Sequence, residues 1–471
     1  MSLNRQTIEN LQKIVGADNL TSSPEELSCY AYDGSGREFS PAAVAFPASA
    51  EEISRIMRLA TATPFAVVPR GAGSGMTGGA LPVTGDLVLA MNRLNRILEI
   101  DRDNQVAVVE PGVITGEFRS EVMKLGLYYP PDPASLQFCT MGGNVAECAG
   151  GPSAVKYGVT RDYVLGLEAV LPDGSLIHTG VRTAKGVVGY DLTRLLVGSE
   201  GTLAVITKII VKLLPAPESK STFLLLCSGI AEAARLVAAI LAHHTPCTLE
   251  YMDQTALRIV SSKLPFPLPD ETKALLLLEL DGDKETLSLA SSRLTAFLAK
   301  QEGINEIREA TSSAEAEQLW VARRAVSPSS FSLRPHKISE DVVVPRNRIP
   351  DLVAKAEHLS KEHDLTIFTF GHAGDGNIHV NIMLDRNNPR EIENAKLAKN
   401  TLFNEVLRLG GTLSGEHGVG ITKADYLSME IDEQTLELMR RVKNLFDPKN
   451  ILNPGKIFPS RPDGKKHLTS K

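Results

Sequence analysis

The sequence predicts an α+β protein of two or three domains, and three observations carry that prediction. The chain has 471 residues, more than one hydrophobic core usually organises, with ample material to enclose a large cofactor. Its first half alternates short strand-like and helix-like runs densely. Its second half opens on a run ordered βαββαβ, the ferredoxin-like signature.

The segment "MSLNRQTIENLQKIVG" reads as an amphipathic helix rather than a signal sequence, because no apolar stretch follows its charges. A helix at "SAEEISRIMRLAT" precedes strands at "FAVVP" and "DLVLAM". Strands "RILEID" and "QVAVVEPG" then flank a polar Arg-Asp-Asn turn. From Val164 the pattern resumes with "VLGLEAVLPDG" and closes on "LAVITKIIVKLLPAP", whose prolines mark a linker near residues 215 to 219. The first domain is therefore expected at 1–217.

Beyond the linker come strand "TFLLLC", helix "GIAEAARLVAAILAHH", strands "TLEYMD" and "ALLLLELDG", helix "KETLSLASSRLTAFLAKQ" and strand "INEIREA". A helix around "AEAEQLWVARRAV" leads into "GHAGDGNIHVNI", giving a second domain at 218–420. In 421–471, "LMRRVKNLFDPKNILNPGKIF" reads as a helix with a Pro/Gly-rich stop, a C-terminal helical segment returning to the first domain.

Composition excludes several functions. The formal net charge is −6 and no long Lys/Arg run appears, which argues against nucleic acid as the main partner. The most apolar runs, "ALLLLEL" and "LVAAILA", fall far short of the roughly 20 residues of a transmembrane helix, so membrane association could only be peripheral. Cys29, Cys139, Cys148, Cys227 and Cys247 form no C-x-x-C pair. Neither a disulfide framework nor an iron–sulfur motif is expected, and a reducing cytoplasm fits best.

The stretch "PRGAGSGMTGGA" places Gly73, Gly75 and Gly78 in a formal G-x-G-x-x-G after a strand. A Rossmann unit needs a helix entered at the third glycine, but Pro82 and Gly85 occupy that run, so the loop is expected to join two strands. Such a loop still lets backbone N–H groups converge on an anion, with Arg70 available for charge. A second cluster, "MGGNVAECAGG", also suits close backbone approach to a ligand, and "PPDPAS" before it sets an extended approach.

These segments carry a resemblance. "PRGAGSGMTGG", "PPDPASLQFCTMGGNVAECAGG", "LPDGSLI" and "LLVGSEGTLAVIT" resemble the FAD-binding segments of vanillyl-alcohol-oxidase type flavoproteins. "GHAGDGNIHVNI", "SGEHGVG" and "NPGKIF" resemble the branch that contains the glycolate oxidase flavin subunit, D-lactate dehydrogenase and D-2-hydroxyglutarate dehydrogenase. The resemblance implies a two-lobed FAD-binding domain followed by a cap domain that holds substrate. It implies that Arg70, Gly71, Ala72, Gly73, Ser74, Gly75 and Gly78 cradle the pyrophosphate. Pro131, Asp132, Ser135, Thr140, Gly142, Gly143, Asn144 and Gly150 would line the flavin and its phosphates, Glu200, Gly201 and Ile206 the adenosine end, and Asn453 the ring from the far side. Covalent members often carry a histidine in the first loop; Ser74 and Gly75 stand there instead, which implies non-covalent FAD.

In "GHAGDGNIHVNI", a type I′ turn centred on Asp375-Gly376 would place His372 and His379 directly opposite, with β-carbons roughly 5 Å apart. Alone, such a pair is ordinarily structural. "LSGEHGVG" adds Glu416, and two histidines with one carboxylate suit a divalent first-row metal (Zn, Fe or Mn) with open positions, a set that the resemblance supports. Oxidising a 2-hydroxy acid requires loss of the hydroxyl proton as well as hydride transfer to flavin, and His417 is the candidate base. Arg323, after a tryptophan in "LWVARRAV", matches the family's substrate-side arginine and suits a carboxylate. Lys337, in "HKISEDVVVP", is a weaker substrate candidate, because the family's lysine aligns near Ser339.

The expected activity is FAD-dependent oxidation of a small D-2-hydroxy acid, glycolate or D-lactate ahead of D-2-hydroxyglutarate. Electrons would pass to a separate acceptor: an iron–sulfur subunit, an electron-transfer flavoprotein or a quinone. The alternatives are an ether-lipid synthase without need of the metal clamp, a metal-dependent hydrolase, and a silent electron-transfer subunit.

Overall fold

The structure is a computed structural model that describes residues 3–85 and 87–459. The tail "PSRPDGKKHLTSK" therefore lies outside the described residues from Ser460 onward.

The first sheet runs in the order Leu20–Thr21, Ala43–Ala45, Leu87–Ala90, Val67–Arg70. Helices Arg5–Val15 and Ala50–Ala62 bury Leu11, Ile53, Ile56 and Met57 against it. Ser49 starts the second helix by accepting the Glu52 N–H, while the Glu52 carboxylate accepts the Ala48 N–H, a reciprocal cap. Val67–Arg70 and Leu87–Ala90 are parallel neighbours. Parallel strands need a crossover, usually helical; here the glycine-rich loop after Arg70 makes it.

The second sheet is antiparallel, in the order Ile97–Asp101, Val106–Val109, Val205–Lys212, Val164–Val170, Leu176–Gly180. Val205–Lys212 alternates buried and half-buried residues, as its period-two pattern predicts. Gly142, in helix Met141–Glu147, leaves room for Pro111: a β-carbon there would sit 2.5 Å from the Pro111 Cβ.

The third sheet has seven strands, in the order Ile304–Glu309, Ser219–Cys227, Ala274–Gly282, Thr248–Asp253, Thr366–His372, Asn377–Leu384, His336–Val343. The first four follow the expected ferredoxin-like order, and the histidine hairpin and its neighbour extend the same sheet. Helices Ile230–His243, Lys284–Leu298, Ile349–Glu362 and Pro389–Arg408 cover one face with leucine-rich packing. Helix Ser313–Ser329 covers part of the other. A helix at Gln254–Val260, capped by Asp253, separates two strands expected in direct succession.

The hairpin corrects the predicted register. His372 pairs with Asn377 and His379 with Phe370, so a four-residue loop replaces the type I′ turn. Asp375 keeps a negative φ while Gly376 takes +90°. The Asp375 carboxylate accepts the Asn377 N–H at 3.1 Å, a local side-chain turn that competes with the tighter one. The histidines are diagonal neighbours on one face, with ring centroids 5.2 Å apart. Gly376→Ala is expected to destabilise the chain by at least ~1–2 kcal/mol, because the left-handed φ adds to a collision between the new β-carbon and the Val344 carbonyl. Urea denaturation measures this, and an unchanged midpoint counts against the turn.

Helix Glu433–Phe446 returns the chain to the first sheet. Val67 N–H donates to Ile451 O and Asn453 N–H to Val67 O, each at 2.8 Å.

Candidate active site

A cavity of about 1540 Å³ lies between the glycine segments and the polar face of the seven-stranded sheet. That exceeds the about 300–1,000 Å³ of ordinary small-ligand pockets. Of the residues expected at the cofactor, all but Gly78, Pro131 and Asn453 line it. Gly78 packs on Ile421 instead. Asn453 Nδ2 donates to Gly79 O (2.9 Å) and Glu200 O (2.8 Å), so it ties two of the glycine segments together from behind. Arg70 is drawn under its own loop, Nη2 donating to Tyr32 O at 2.7 Å, in space that a side chain at Gly73 would fill.

Glu147 went unremarked in the sequence. It lines the cavity, and its buried Oε2 has no hydrogen-bond partner. Burial first, then the charge of Glu200, push its carboxyl well above the usual range. An orphaned acid in a glycine-walled cavity fits a large ligand with polar edges, as FAD is.

At the other end, His372 Nε2 lies 3.2 Å from Glu416 Oε1, and His379 Nε2 lies 3.7 Å from the same oxygen. Ligands at about 2.0–2.2 Å from a tetrahedral ion stand about 3–3.5 Å apart; the His372–Glu416 spacing falls in that range and the His379–Glu416 spacing lies slightly beyond it. His417 stacks on His379, with centroids 5.4 Å apart and planes at 6°. Gly150 gives Glu416 room: a β-carbon there would lie 2.8 Å from Glu416 Oε2.

Asp341, also missed, organises this end. It is fully buried and sits opposite His379 on the neighbouring strand. Its Oδ2 accepts the backbone N–H groups of Gly415, Glu416 and His417 at 2.8–2.9 Å, and Asn377 Nδ2 donates to Oδ1 at 2.6 Å. Burial opposes its charge, but His417, Lys423 and His379 outweigh that and hold its carboxyl well below the usual range. Ligand atoms of Asp341, His379, Glu416 and His417 also fall within 4.8 Å of one another. Both Asp341 oxygens already accept N–H groups, and through them Asp341 shapes the loop that carries Glu416 and His417.

Glu250 connects the histidines to Arg323. Its Oε1 is hydrogen-bonded to His372 Nδ1 at 2.7 Å, and its Oε2 meets Arg323 Nη2 at 2.5 Å as an ion pair outside hydrogen-bond geometry. Burial works against its charge, yet His372 and Arg323 hold its carboxyl below the usual range. Burial likewise opposes protonation of His372, and Glu250 and Glu416 prevail, pushing its pKa well up. Arg323 lines the cavity over the Phe370 ring, and its buried Nε has no hydrogen-bond partner.

Two family matches account for most of the chain: "FAD binding domain" over residues 41–180 and "FAD linked oxidases, C-terminal domain" over residues 216–457. The chain belongs to the FAD-linked oxidase family. It is 43% identical to the glycolate oxidase subunit GlcD of Bacillus subtilis over 96% of both chains. It is 33% identical to a D-lactate dehydrogenase of Anaerostipes hadrus, over 87% of this chain and 88% of that one. For a D-2-hydroxyglutarate dehydrogenase of Stutzerimonas stutzeri the identity is 31%, over 96% and 98%. The fold is that of p-cresol methylhydroxylase with substrate bound, at TM-score 0.81 and 19% identity over 96% of both chains. This FAD-linked oxidase is thus an FAD-dependent oxidoreductase of the vanillyl-alcohol oxidase fold. Among its described residues no helix is long and apolar enough to cross a membrane.

Lys337 of the FAD-linked oxidase does not line the cavity. Its Nζ donates to Ser327 Oγ at 2.6 Å, while Ser339, two residues on, does line it. The strand's period of two alone would put both on one face; helix Ser313–Ser329 covers Lys337 and leaves Ser339 open. Burial lowers the Lys337 pKa from 10.5 to about 8. A lysine whose folded pKa is lowered weakens folding most below pH 8, and that penalty fades as pH rises through 10.5, above which both states are largely neutral. Lys337→Met is therefore expected to raise the thermal midpoint more at pH 7 than at pH 10. Equal gains at both would assign the lysine no burial penalty.

Proposed function

We propose that this FAD-linked oxidase converts a small D-2-hydroxy acid, glycolate or D-lactate, to the 2-oxo acid. The observation that supports it is the meeting, on one cavity, of the FAD domain's glycine segments with Arg323, His417 and the His372/His379/Glu416 group. The names of its relatives, glycolate oxidase subunit, D-lactate dehydrogenase and D-2-hydroxyglutarate dehydrogenase, support the same substrate class.

In this reading Arg323 binds the substrate carboxylate, its charge held in place by Glu250. His417 takes the hydroxyl proton. Its Nδ1 lies 4.0 Å from Asp341 Oδ2, so the imidazolium formed faces a buried carboxylate, and Nε2 remains to accept the proton. Bound FAD supplies the hydride acceptor, held without a covalent bond. A divalent ion (Zn, Fe or Mn) at His372, His379 and Glu416 would supply a Lewis acid for the substrate oxygens. The domains divide at residue 217 and again at 420, which gives the cap the metal group and Arg323.

The electrons leave to a separate cytoplasmic acceptor, an iron–sulfur subunit, an electron-transfer flavoprotein or a quinone. The five cysteines have no cluster spacing, and the Bacillus relative is named a subunit. The deciding experiment is anaerobic mixing with D- and L-2-hydroxy acids, D-2-hydroxyglutarate included, following flavin bleaching. Bleaching by none of them would sink the proposal, and equal turnover with air and with a dye acceptor would sink the separate acceptor.

A further inference from the structure

We infer that Glu250 is a positioning residue that sets the metal-side histidine and the substrate-side arginine with one carboxylate, an inference that rests on the site reading above. Glu250 is fully buried in strand Thr248–Asp253, with one oxygen on His372 Nδ1 and the other on Arg323 Nη2. Its two partners have no sequence proximity. They come from the hairpin and from helix Ser313–Ser329, and Glu250 stands between them on the sheet.

The helix is keyed to this position. Trp320 and Arg323, three residues apart and so on one helix face, meet two carboxylates on adjacent strands. Trp320 Nε1 donates to Glu279 Oε1 at 2.7 Å, and Arg323 takes Glu250. Glu279 lies opposite Thr248, two residues before Glu250, so the two acids are diagonal neighbours on the cavity face. This register carries Arg323 to the cavity at the level of His372.

The chemistry of the contact is specific to a carboxylate. An acceptor at His372 Nδ1 fixes a proton there, so that Nε2, 3.2 Å from Glu416 Oε1, is the nitrogen that would face a metal. The guanidinium offers only donors, so it needs an acceptor too. A glutamine has one acceptor oxygen and one donor amide. Turned with its oxygen to Arg323, it donates its amide N–H to Nδ1 and holds the imidazole proton on Nε2, the nitrogen that would face the metal; turned the other way, it sets N–H against the guanidinium N–H. Metal affinity and carboxylate binding therefore share an anchor, although neither ligand need touch Glu250.

The test uses the full-length, flavin-loaded chain and three variants: Glu250→Gln, Arg323→Met and the two combined. Zn²⁺ affinity is measured by competition with a chelator, KM for D-lactate or glycolate by dye-coupled turnover, and flavin absorbance and melting serve as controls. Arg323→Met is expected to raise KM and leave Zn²⁺ affinity near wild type. Glu250→Gln is expected to raise KM and also weaken Zn²⁺ binding about 10–100-fold, the range for loss of such a supporting contact. If Glu250→Gln fails to fold because Arg323 is left buried and unpaired, the combined variant, free of that charge, decides. Its Zn²⁺ affinity should fall below that of Arg323→Met by the same factor. Zn²⁺ affinity equal to wild type in Glu250→Gln, or equal to Arg323→Met in the combined variant, overturns the role of Glu250. A wild-type chain that binds no divalent ion overturns the site reading itself, and this inference with it.

Discussion

His417→Ala is expected to slow flavin reduction by a 2-hydroxy acid about 100-fold or more, the scale for loss of a general base, with flavin and metal retained. The retention follows from how the loop is held. Asp341 grips residues 415–417 through their backbone N–H groups, which alanine keeps. The imidazole itself lines the cavity and packs on His379, so its removal opens space without unpinning Glu416. Stopped-flow reduction of the variant between pH 6 and 9 gives the answer. Near-normal rates throughout would remove His417 from the mechanism.

Metal removal, or His372→Ala, is expected to abolish reduction by substrate while the flavin spectrum persists. His372 belongs to the seven-stranded sheet and touches Glu250 and Glu416, whereas the glycine segments are held by Asn453 and by one another. Losing the imidazole would take one of the three proposed ligands and leave Glu250 with Arg323 alone. The check is metal content beside flavin absorbance and single-turnover reduction. A fully active chain without stoichiometric divalent metal would return both histidines to ordinary packing.

The strands and helices were largely legible because their periodicity is local: "VITKIIVK" alternates, and "GIAEAARLVAAILAHH" repeats at helical spacing. His372, His379, Glu416 and His417 stood out through the resemblance of "GHAGDGNIHVNI" and "SGEHGVG" to family segments, since such pairs alone are ordinarily structural. The hairpin register escaped because the Asp375 side chain, rather than the Asp-Gly dipeptide alone, sets the turn. Asp341 and Glu250 escaped for another reason. In "KISEDVVV" and "TLEYMD" each looks like an ordinary strand charge, and its partners arrive from 36 to 122 positions away. One signal was available: an acid flanked by apolar residues in a strand whose other neighbours are buried needs a cation or an N–H cluster somewhere.

The return of the chain end to the first sheet has a consequence for the order of folding. Ile451, Leu452 and Asn453 lie beside Val67, Asn453 clasps Gly79 and Glu200, and Lys456 Nζ donates to Leu81 O at 2.6 Å. A ribosome has therefore made the cap before it delivers the residues that lock the flavin loop. Contacts of such long sequence separation close late, after local helices and hairpins have formed. A nascent chain halted before Asn453 would thus carry its glycine segments unclasped.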